Sequence, residues 1–585
     1  MYSKIAKILI FSVLALLFLS GIAAAQEWVV TSPGDVDRVD NSQTNTSNMT
    51  LRQAISIAGS GDTIVFANNI TEINIIHGTL NISKDLTIGG NSEVVIRRSS
   101  SSTTQDFTIF SMTGSNVTLK LLTIENGNVM GGNGGAILAD RANVTLESCL
   151  LQRNRAGFGG AVYAANGSHI SLVSTIIYKN NASSDGSAIY IKDGAATFQN
   201  SVIEDNNDRF NVIFVEKGQL TMNNTRVTSN SVTSKGSPIN ASSGTTVEIR
   251  NSTFSNNAGT ESGGVLTRGT LVVSNSVFDG SKSNESGGAI SIRDGGNGTI
   301  SYSIFTNNTA TDDGGAIYVS VGSGATVTGC TFLNNFAKYG GAFFGRGTFT
   351  IDSCTFVNNT AVFYGGAIAA WNDAKTTLTK NIIAGNTARA NNTPRDPAGG
   401  GLNISRAEAL LTNNVIVGNT DPRSIDFGEE NATVGSNGNN LVGTYRGNGR
   451  FPITATDATG IEMSDVFVID GFGMPAMTKS TGYTAGFERV QVLTAELNSS
   501  PNNPAGPIFG IQTPPPAPPA PQEPETPPEN VTPAPTPEPP ANSGSISTIM
   551  TLMLFSIVAI VILVIIAVGA FAYLRYKKKK EYKFG

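Results

Sequence analysis

The chain has 585 residues, of which 39% are hydrophobic and only 14% are charged, so it can bury a large core with few ionic groups. Its 64 glycines argue against a mostly helical protein, and two histidines and three cysteines exclude a histidine-built metal site, a disulfide framework and a histidine-based triad. The net charge of −5 leaves −12 on residues 26–574, because the two ends carry +2 and +5. An acidic body disfavours nucleic acid as a partner.

The N-terminus has a basic region, an apolar region and a small-residue site in that order. Lys4 and Lys7 precede the apolar run from Ile8 to Leu19, and three alanines end at Ala25. This order is that of a secretory signal peptide. We therefore predict that residues 1–25 are a signal peptide. The alternative is an uncleaved anchor, which the shortness of the apolar run disfavours.

Residues 26–62 are predicted to form an N-terminal cap region. Thr50 and Gln53 have the spacing of a capping box for a short helix, and Leu51, Ala54 and Ile55 lie on one side of that helix. Such a helix would cover the open end of a stack of strands and prevent association between sheet edges.

From about residue 120 to residue 420, two landmarks recur in register. One is a large apolar residue with a polar residue, usually Asn, three positions later, as in Phe332 and Asn335. The other is a Gly-Gly-Ala-Ile sequence, as at 314–317. Successive copies of the first landmark are 24 to 27 residues apart, except for one interval of 33. A leucine-rich repeat would need a leucine lattice that is absent, and a propeller blade would need a longer repeat.

Short alternating β-formers at this period predict an all-β fold, a right-handed parallel β-helix with three strands per coil and about 15 coils. We assign it to residues 63–445, followed by closing coils and a C-terminal cap at 446–510. Stacked asparagines should bond between coils, and paired glycines should allow close backbone approach at a corner. Five phenylalanines should form an internal ladder: Phe254, Phe278, Phe305, Phe332 and Phe356.

The C-terminal part is predicted to anchor the protein. Residues 514–540 contain 14 of the 24 prolines, which favours an extended stalk at 511–547 outside the cell. The apolar run from Ile549 to Leu574 is long enough to cross a bilayer, so 548–574 is predicted as a transmembrane helix. The lysine-rich residues 575–585 should form a cytoplasmic tail. The expected localisation is therefore a single-pass cell-membrane protein with an extracellular body.

The two landmarks resemble the polymorphic outer-membrane protein repeat of bacterial surface adhesins, within the pectin-lyase-like β-helix superfamily. Residues 50–55 and 61–66 are similar to the CSLREAI segment that opens many secreted β-helix proteins, although Met49 or a neighbour stands where the leading Cys belongs. Those adhesins end in a β-barrel translocator, whereas this chain ends in one helix. The difference favours an archaeal-type envelope.

The sequence contains 20 Asn-X-Ser/Thr sequons, and we expect a subset to carry glycan. They are Asn45, Asn48, Asn69, Asn81, Asn116, Asn143, Asn166, Asn181, Asn223, Asn240, Asn251, Asn284, Asn297, Asn307, Asn358, Asn391, Asn403, Asn431, Asn498 and Asn530.

Cys330 and Cys354 each lie two residues before a ladder phenylalanine on adjacent coils. Their Cα atoms should be about 5 Å apart, within the range of a disulfide. Ser252, Ser276 and Ser303 occupy the same position in other coils. The comparison favours buried small residues, and a Cys330–Cys354 disulfide is the alternative.

Enzymes of the pectate lyase type use clustered carboxylates with a basic residue on neighbouring coils. The best matches are Asp312 and Asp313, Asp373 with Lys375, and Arg293 with Asp294. Each lies beside a glycine-rich turn and none repeats on the next coil, so we expect solvated turns. The sequence gives no catalytic, cofactor-binding or metal-binding residue.

The sequence favours a membrane-anchored surface glycoprotein, an adhesin or envelope component that binds cells, polysaccharide or a surface layer. The first alternative is an extracellular polysaccharide lyase or glycoside hydrolase, suggested by the superfamily resemblance alone. The second alternative is a passive envelope scaffold.

Overall fold

A computed structural model describes residues 25–36, 48–101, 103–207, 209–389, 399–449, 451, 453–469 and 475–478. Residues 1–24 of the predicted signal peptide lie outside this range, as do the predicted stalk, transmembrane helix and basic tail. Neither of the two described helices, which have seven and four residues, has the length or apolar content needed to cross a bilayer.

The described chain winds into a parallel β-solenoid. A representative coil contains the strands Gly324–Thr328, Thr331–Leu333, Phe336–Tyr339 and Phe343–Gly345. The first two belong to one large sheet and are separated by a kink at Gly329, whose φ is +61°. The three predicted strands per coil thus correspond to three sheets, with the strand of the large sheet broken in two in most coils.

The first sheet, called the large sheet, has 29 strands. They are Glu27–Val30, Asp62–Phe66, Glu72–Ile75, Leu86–Arg98, Asn116–Glu125, Asn143–Glu147, Leu150–Gln152, Ser168–Val173, Ile176–Tyr178, Gly194–Gln199, Val202–Glu204, Gly218–Asn223, Arg226–Thr228, Thr246–Arg250, Thr253–Ser255, Thr270–Ser274, Val277–Asp279, Asn297–Ser301, Ile304–Thr306, Gly324–Thr328, Thr331–Leu333, Thr348–Asp352, Thr355–Val357, Lys375–Thr379, Ile382–Ala384, Glu408–Thr412, Val415–Val417, Thr433–Ser436 and Leu441–Val442.

The second sheet has 15 strands. They are Leu80–Ile82, Phe110–Thr113, Ile137–Asp140, Val162–Ala165, Ile189–Ile191, Ile213–Val215, Ile239–Ala241, Val265–Thr267, Ile290–Ile292, Ile317–Val319, Phe343–Gly345, Ile368–Trp371, Leu402–Ser405, Phe427–Glu430 and Tyr445–Arg446. These strands are separated by about 14 turns of the solenoid, one fewer than the sequence suggested.

The third sheet is in two parts, of three and six strands. The first part is Asn128–Asn133, Arg155–Phe158 and Asn181–Asp185, and the second is Ala258–Gly259, Lys282–Ser283, Thr309–Ala310, Phe336–Tyr339, Thr360–Tyr364 and Thr387–Ala388. At a spacing of about 4.8 Å per coil, the solenoid is about 67 Å long.

The Gly-Gly landmark marks the corner between the third and second sheets. Gly314 has a φ of +65°, which few other residues adopt. A Cβ on Gly315 would lie 2.0 Å from the Gly341 carbonyl oxygen and 2.7 Å from the Phe336 nitrogen. Two glycines are therefore required because the chain must turn sharply while neighbouring coils touch.

The predicted phenylalanine ladder is confirmed. Its five rings are fully buried and stack in order, with centroids 4.7, 5.1, 4.9 and 4.5 Å apart. Aliphatic residues continue the same column in both directions, from Val227 on the coil before and through Ile383 and Ile416 on the coils after. The core is thus one apolar column inside the coils, which is what the sequence pattern predicted.

The asparagine ladder is also confirmed, at the turn after the large sheet. Its members are Asn154, Asn180, Asn206, Asn230, Asn257, Asn308, Asn335, Asn359, Asn386 and Asn419, with Ser281 in the one variant position. In a typical rung, the backbone N and Nδ2 of Asn335 donate to Asn359 Oδ1 at 3.0 and 2.9 Å, and Nδ2 also donates to the Phe305 carbonyl oxygen. The buried asparagine side-chain amides thus find their hydrogen-bond partners on the neighbouring coils.

The described part of the chain contains two short helices, one before the strand Asp62–Phe66 and one after the last coil. Helix α1, Leu51–Ile57, begins where Thr50 Oγ1 accepts a hydrogen bond from the Gln53 backbone N, and Leu51 enters the main core. Helix α2, Met463–Val466, follows the last coil, and Phe467 packs with Val466 on the outer face of the large sheet. Phe467–Ile469 then pairs antiparallel with Pro475–Thr478.

Candidate functional site

One side of the solenoid carries a row of contacting aromatic and charged side chains along the corner between the third and second sheets. Its floor is the outward-facing residue of each second-sheet strand, such as Tyr318, which is in register with Phe344. One wall is the residue before each Gly-Gly pair, where Asp313 pairs with Tyr339 and Tyr339 with Tyr364. The other wall is formed by the side chain two positions after each floor residue. We call this feature the groove, and its members are Glu261, Arg268, Glu285, Arg293, Asp313, Tyr318, Lys338, Tyr339, Phe344, Arg346, Phe363, Tyr364 and Trp371.

Aromatic rings concentrate at one end of the groove around Tyr339. Its centroid lies 5.2 Å from those of Phe363 and Trp371 and 5.7 Å from that of Tyr364. These four side chains are partly exposed, whereas Phe344 beneath them is fully buried. Partly exposed rings supported by a buried ring form a rigid apolar surface with polar edges.

Cationic side chains lie over the same rings. The Arg346 guanidinium is 5.4 Å from the Phe344 centroid and 5.9 Å from that of Trp371. The Lys338 ammonium lies 5.6 Å from the ring of Tyr339. Arg346 Nε is buried and has no hydrogen-bond partner among the described residues. Two ring faces therefore help to hold this guanidinium in place.

Asp313 is the carboxylate closest to this aromatic end. Its side chain is only 13% exposed, and its Oδ2 lies 3.8 Å from Arg346 Nη2, too far for a hydrogen bond. Burial raises the pKa of Asp313 to about 6, although the nearby Arg346 charge opposes the shift. Such a carboxyl can gain or lose a proton near neutral pH.

Further along the groove, the carboxylates are paired. Arg293 Nη1 lies 3.1 Å from Glu285 Oε2 and 3.9 Å from Glu261 Oε1, and its guanidinium lies 5.4 Å from the Tyr318 ring. Arg268 Nη2 lies 3.6 Å from Glu261 Oε1. The groove therefore combines ring faces with fixed donors and acceptors.

The solvated-turn expectation is wrong for Asp313 and Arg293, whose side chains are largely buried. Asp313 is buried at the corner just before Gly314, and Arg293 lies two residues after the floor residue Ser291 and pairs with Glu261 and Glu285. The expectation holds for Asp312, which is exposed, and for Asp373, an exposed turn residue with a φ of +66°. Lys375 pairs with Glu408 on the large sheet, and Asp294 with Arg268. The missed aromatic members could have been found by aligning the sequence at its period, which brings Asp313, Tyr339 and Tyr364 into one column.

Cys330 and Cys354 are free, buried thiols in the structure, as is Cys149. The Cys330 backbone N lies 3.3 Å from Cys354 Sγ, and Cys354 N donates to Asn381 Oδ1. The residues in this column, which include Ser303, fill a second polar ladder, in line with the buried-small-residue interpretation.

The sequon asparagines differ in exposure. Asn240 and Asn403, on second-sheet strands, are buried, at 7% and 3% exposure, so they do not suit glycan attachment. Asn45, Asn391, Asn498 and Asn530 lie outside the described residues. The others are exposed (Asn48, Asn69, Asn81, Asn116, Asn143, Asn166, Asn251, Asn284, Asn297, Asn358 and Asn431) or partly exposed (Asn181, Asn223 and Asn307).

Within the described part of the chain, no group of three or more His, Cys, Asp or Glu side chains is placed to hold a metal ion. The outer face of the large sheet has an open depression of about 380 Å³ between Thr350, Lys375, Thr377, Glu408 and Leu410. The one aromatic residue of its lining, Phe349, is buried, so this depression lacks the ring surface of the groove.

Comparison with curated proteins returned no match. Among solved structures, the chain is similar to the alginate lyase AlyF-OU02 in complex with G6, at 12% identity, covering 75% of this chain and 89% of that chain, with a TM-score of 0.33. It is also similar to AlyGC, an alginate lyase of the PL6 family, at 11% identity, covering 74% and 99%, with a TM-score of 0.24. Neither likeness supports an inference about activity.

The family described as "Right handed beta helix region" matches residues 53–224 and 187–356, which together span just over half of the chain. The match agrees with the parallel solenoid and with the predicted handedness. The chain therefore belongs to the right-handed β-helix family.

Proposed function

We propose that this protein is a membrane-anchored β-helix of the cell surface that binds polysaccharide in the groove, as an adhesin or an envelope component. The observation that carries the proposal is the packing of four partly exposed rings, centred on Tyr339, beside Arg346 and Asp313. The membrane anchoring rests on the sequence, namely the leader at 1–25 and the apolar segment at 548–574.

The chemistry of the groove suits a sugar chain. A pyranose ring has an apolar face of C–H groups, which can stack on an aromatic ring, and hydroxyl groups around its edge. Tyr339 and Trp371 offer ring faces, while Arg293, Glu285 and Arg346 offer charged hydrogen-bonding groups along the same line. A solenoid places equivalent positions on successive coils, so an extended polymer can contact several coils at once.

The test is binding of the full-length protein, purified in detergent, to a panel of neutral and acidic polysaccharides. We expect Trp371→Ala and Tyr339→Ala to weaken binding at least 10-fold, the scale of an aromatic hot spot. Tyr302→Ala is the matched control, because Tyr302 is an exposed aromatic residue in a turn of the large sheet. Failure of every polysaccharide to bind, or equal effects of all three substitutions, would overturn the proposal.

A polysaccharide lyase or hydrolase is the second candidate, and Asp313 is the observation that favours it. A buried carboxyl with a pKa of about 6 is suited to proton transfer. The other carboxylates of the groove, Glu261 and Glu285, are paired with Arg293 and are less suited to act with it. New reducing ends or unsaturated products in the same incubations, lost in Asp313→Asn, would establish this candidate. Absence of both binding and turnover would favour a passive scaffold.

A further inference from the structure

We propose that the same side of the solenoid carries a second carbohydrate platform, several coils towards the N-terminus, occupied by the chain that fills the groove. The platform consists of Phe158, Tyr163, Tyr190 and Phe214. This inference rests on the proposed function, and it adds that the ligand is an extended polysaccharide longer than the groove itself.

The platform is a second set of packed rings. Tyr163 and Tyr190 stack with centroids 5.4 Å apart, and the Phe214 centroid lies 5.2 Å from that of Tyr190. Phe158 meets Tyr190 edge to face at 5.1 Å and remains 38% exposed. Tyr190 Oη donates to Glu216 Oε2 at 2.6 Å, which fixes the ring at the centre of the set. Phe158 and Phe214 thus present ring surface on a support that is already rigid.

The platform occupies the same positions as the groove. Tyr190 and Phe214 belong to the floor column, which runs in register through Asn240, Leu266 and Ser291 to Tyr318. Phe158 immediately precedes a Gly-Gly pair, as Tyr339 and Tyr364 do in the groove. Four coil spacings separate Phe214 from Tyr318, which is about 19 Å.

The stretch between the two aromatic sets has a polar surface made by two arginines. Asn240, Leu266 and Ser291 are buried in its floor, and the arginines bond over it. Arg268 Nη1 donates to Asn240 Oδ1 at 3.2 Å, and Arg293 Nε donates to Ser291 Oγ at 2.9 Å. The side chains of Arg268 and Arg293 remain 28% and 18% exposed and can meet the oxygens of a polar ligand.

The order of aromatic and charged surfaces between the two sets indicates which kind of ligand fits there. Ring faces, then guanidinium groups, then ring faces again match a chain whose units each carry an apolar face and polar edges. A sugar polymer has that repeat, and the length of one pyranose unit is comparable to the coil spacing of about 4.8 Å. A chain that reaches both sets gains from simultaneous attachment, because the second contact is intramolecular.

The experiment compares short and long oligosaccharides of the polysaccharide that binds best, with the full-length protein. We expect Phe214→Leu and Phe158→Ala each to weaken binding of the long chain at least 10-fold and to leave a short oligosaccharide, which occupies the groove alone, unchanged. Trp371→Ala should weaken both. Phe158→Ala alters an exposed side chain, so it remains informative if Phe214→Leu fails to fold.

The outcomes separate the two proposals. Equal affinity of short and long chains for the wild-type protein, or no effect of either phenylalanine substitution on the long chain, would overturn the second platform and leave the groove intact. If the platform variants bind polysaccharide as the wild-type protein does but lose a protein that associates with the wild type, the platform binds a protein partner. That result would also overturn the proposal of a second carbohydrate platform. If Trp371→Ala leaves the binding of oligosaccharides of every length unchanged, the groove is instead rejected as the binding site.

Discussion

The asparagine ladder is interrupted once, at Ser281, and repairing it should stabilise the solenoid. Ser281 is fully buried, and its hydroxyl has no hydrogen-bond partner among the described residues. Its backbone N still donates to Asn308 Oδ1 at 3.0 Å, and Gly280 before it has the positive φ found at the other rungs. The backbone is therefore already in the geometry of a rung, and only the amide side chain is missing.

Substitution of Ser281 by Asn should restore four hydrogen bonds. By analogy with Asn335, the new Nδ2 would donate to Asn308 Oδ1 and to the Phe254 carbonyl oxygen, and the new Oδ1 would accept from Asn257 N and Nδ2. Each bond contributes about 1 kcal/mol net. The entropy lost when the new Asn side chain is ordered, and the sharing of one acceptor oxygen by two donors, oppose this stabilisation. We therefore expect Ser281→Asn to raise the free energy of unfolding by about 2 kcal/mol.

Hydrogen exchange of the native protein gives a local readout. The Asn257 backbone N–H acquires an acceptor only in Ser281→Asn, so its exchange should slow about 30-fold, the equivalent of about 2 kcal/mol. The matched variant is Asn335→Ser, which removes the acceptor of Asn308 N and should speed exchange there by at least as much. Unchanged exchange at Asn257, or a loss of stability in Ser281→Asn, would refute the reasoning that rungs are interchangeable.

Three further results are expected. Phe305 stacks on two rings and Phe254 on one, so Phe305→Leu should cost about 1 kcal/mol more free energy of unfolding than Phe254→Leu, read from denaturant midpoints and slopes. Burial raises the pKa of Asp313 to about 6, so the contribution of its carboxyl to stability is fully present below about pH 4 and is lost as pH rises through 6. At pH 7.5 Asp313→Asn should therefore be more stable than the wild-type protein, by up to about 3 kcal/mol. Thermal melts at pH 4 should show no advantage of the variant. Peptide mapping should find no glycan on Asn240 or Asn403.

The fold was predictable because its information is local and repeated. A ladder residue such as Phe305, an asparagine such as Asn308 and a Gly-Gly pair recur in the same order in most coils, and each has a backbone or packing reason to be there. The break of each large-sheet strand was missed, because many different residues take the positive φ at the kink, including Gly329, Ser353 and Lys380.

The groove was not predicted, because its members come from several different coils. Asp313, Arg346 and Trp371 come from three successive coils, and no motif links them until the chain is wound. In the sequence Asp312 and Asp313 form one adjacent pair, which the corner separates into an exposed and a buried carboxyl. Burial decides which carboxyl has a raised pKa, and burial depends on the coil.

Because the coils stack in register, the solenoid can be lengthened or shortened by whole coils. Duplication or deletion of one repeat would lengthen or shorten the molecule by about 4.8 Å and leave the remaining coils able to close over the same internal column. Intervals as different as 24 and 33 residues between Val227 and Ile416 are tolerated, because register is kept in the strands while the bends vary in length. A lineage could thus change the length of the solenoid and of its outer surface without redesigning any single contact.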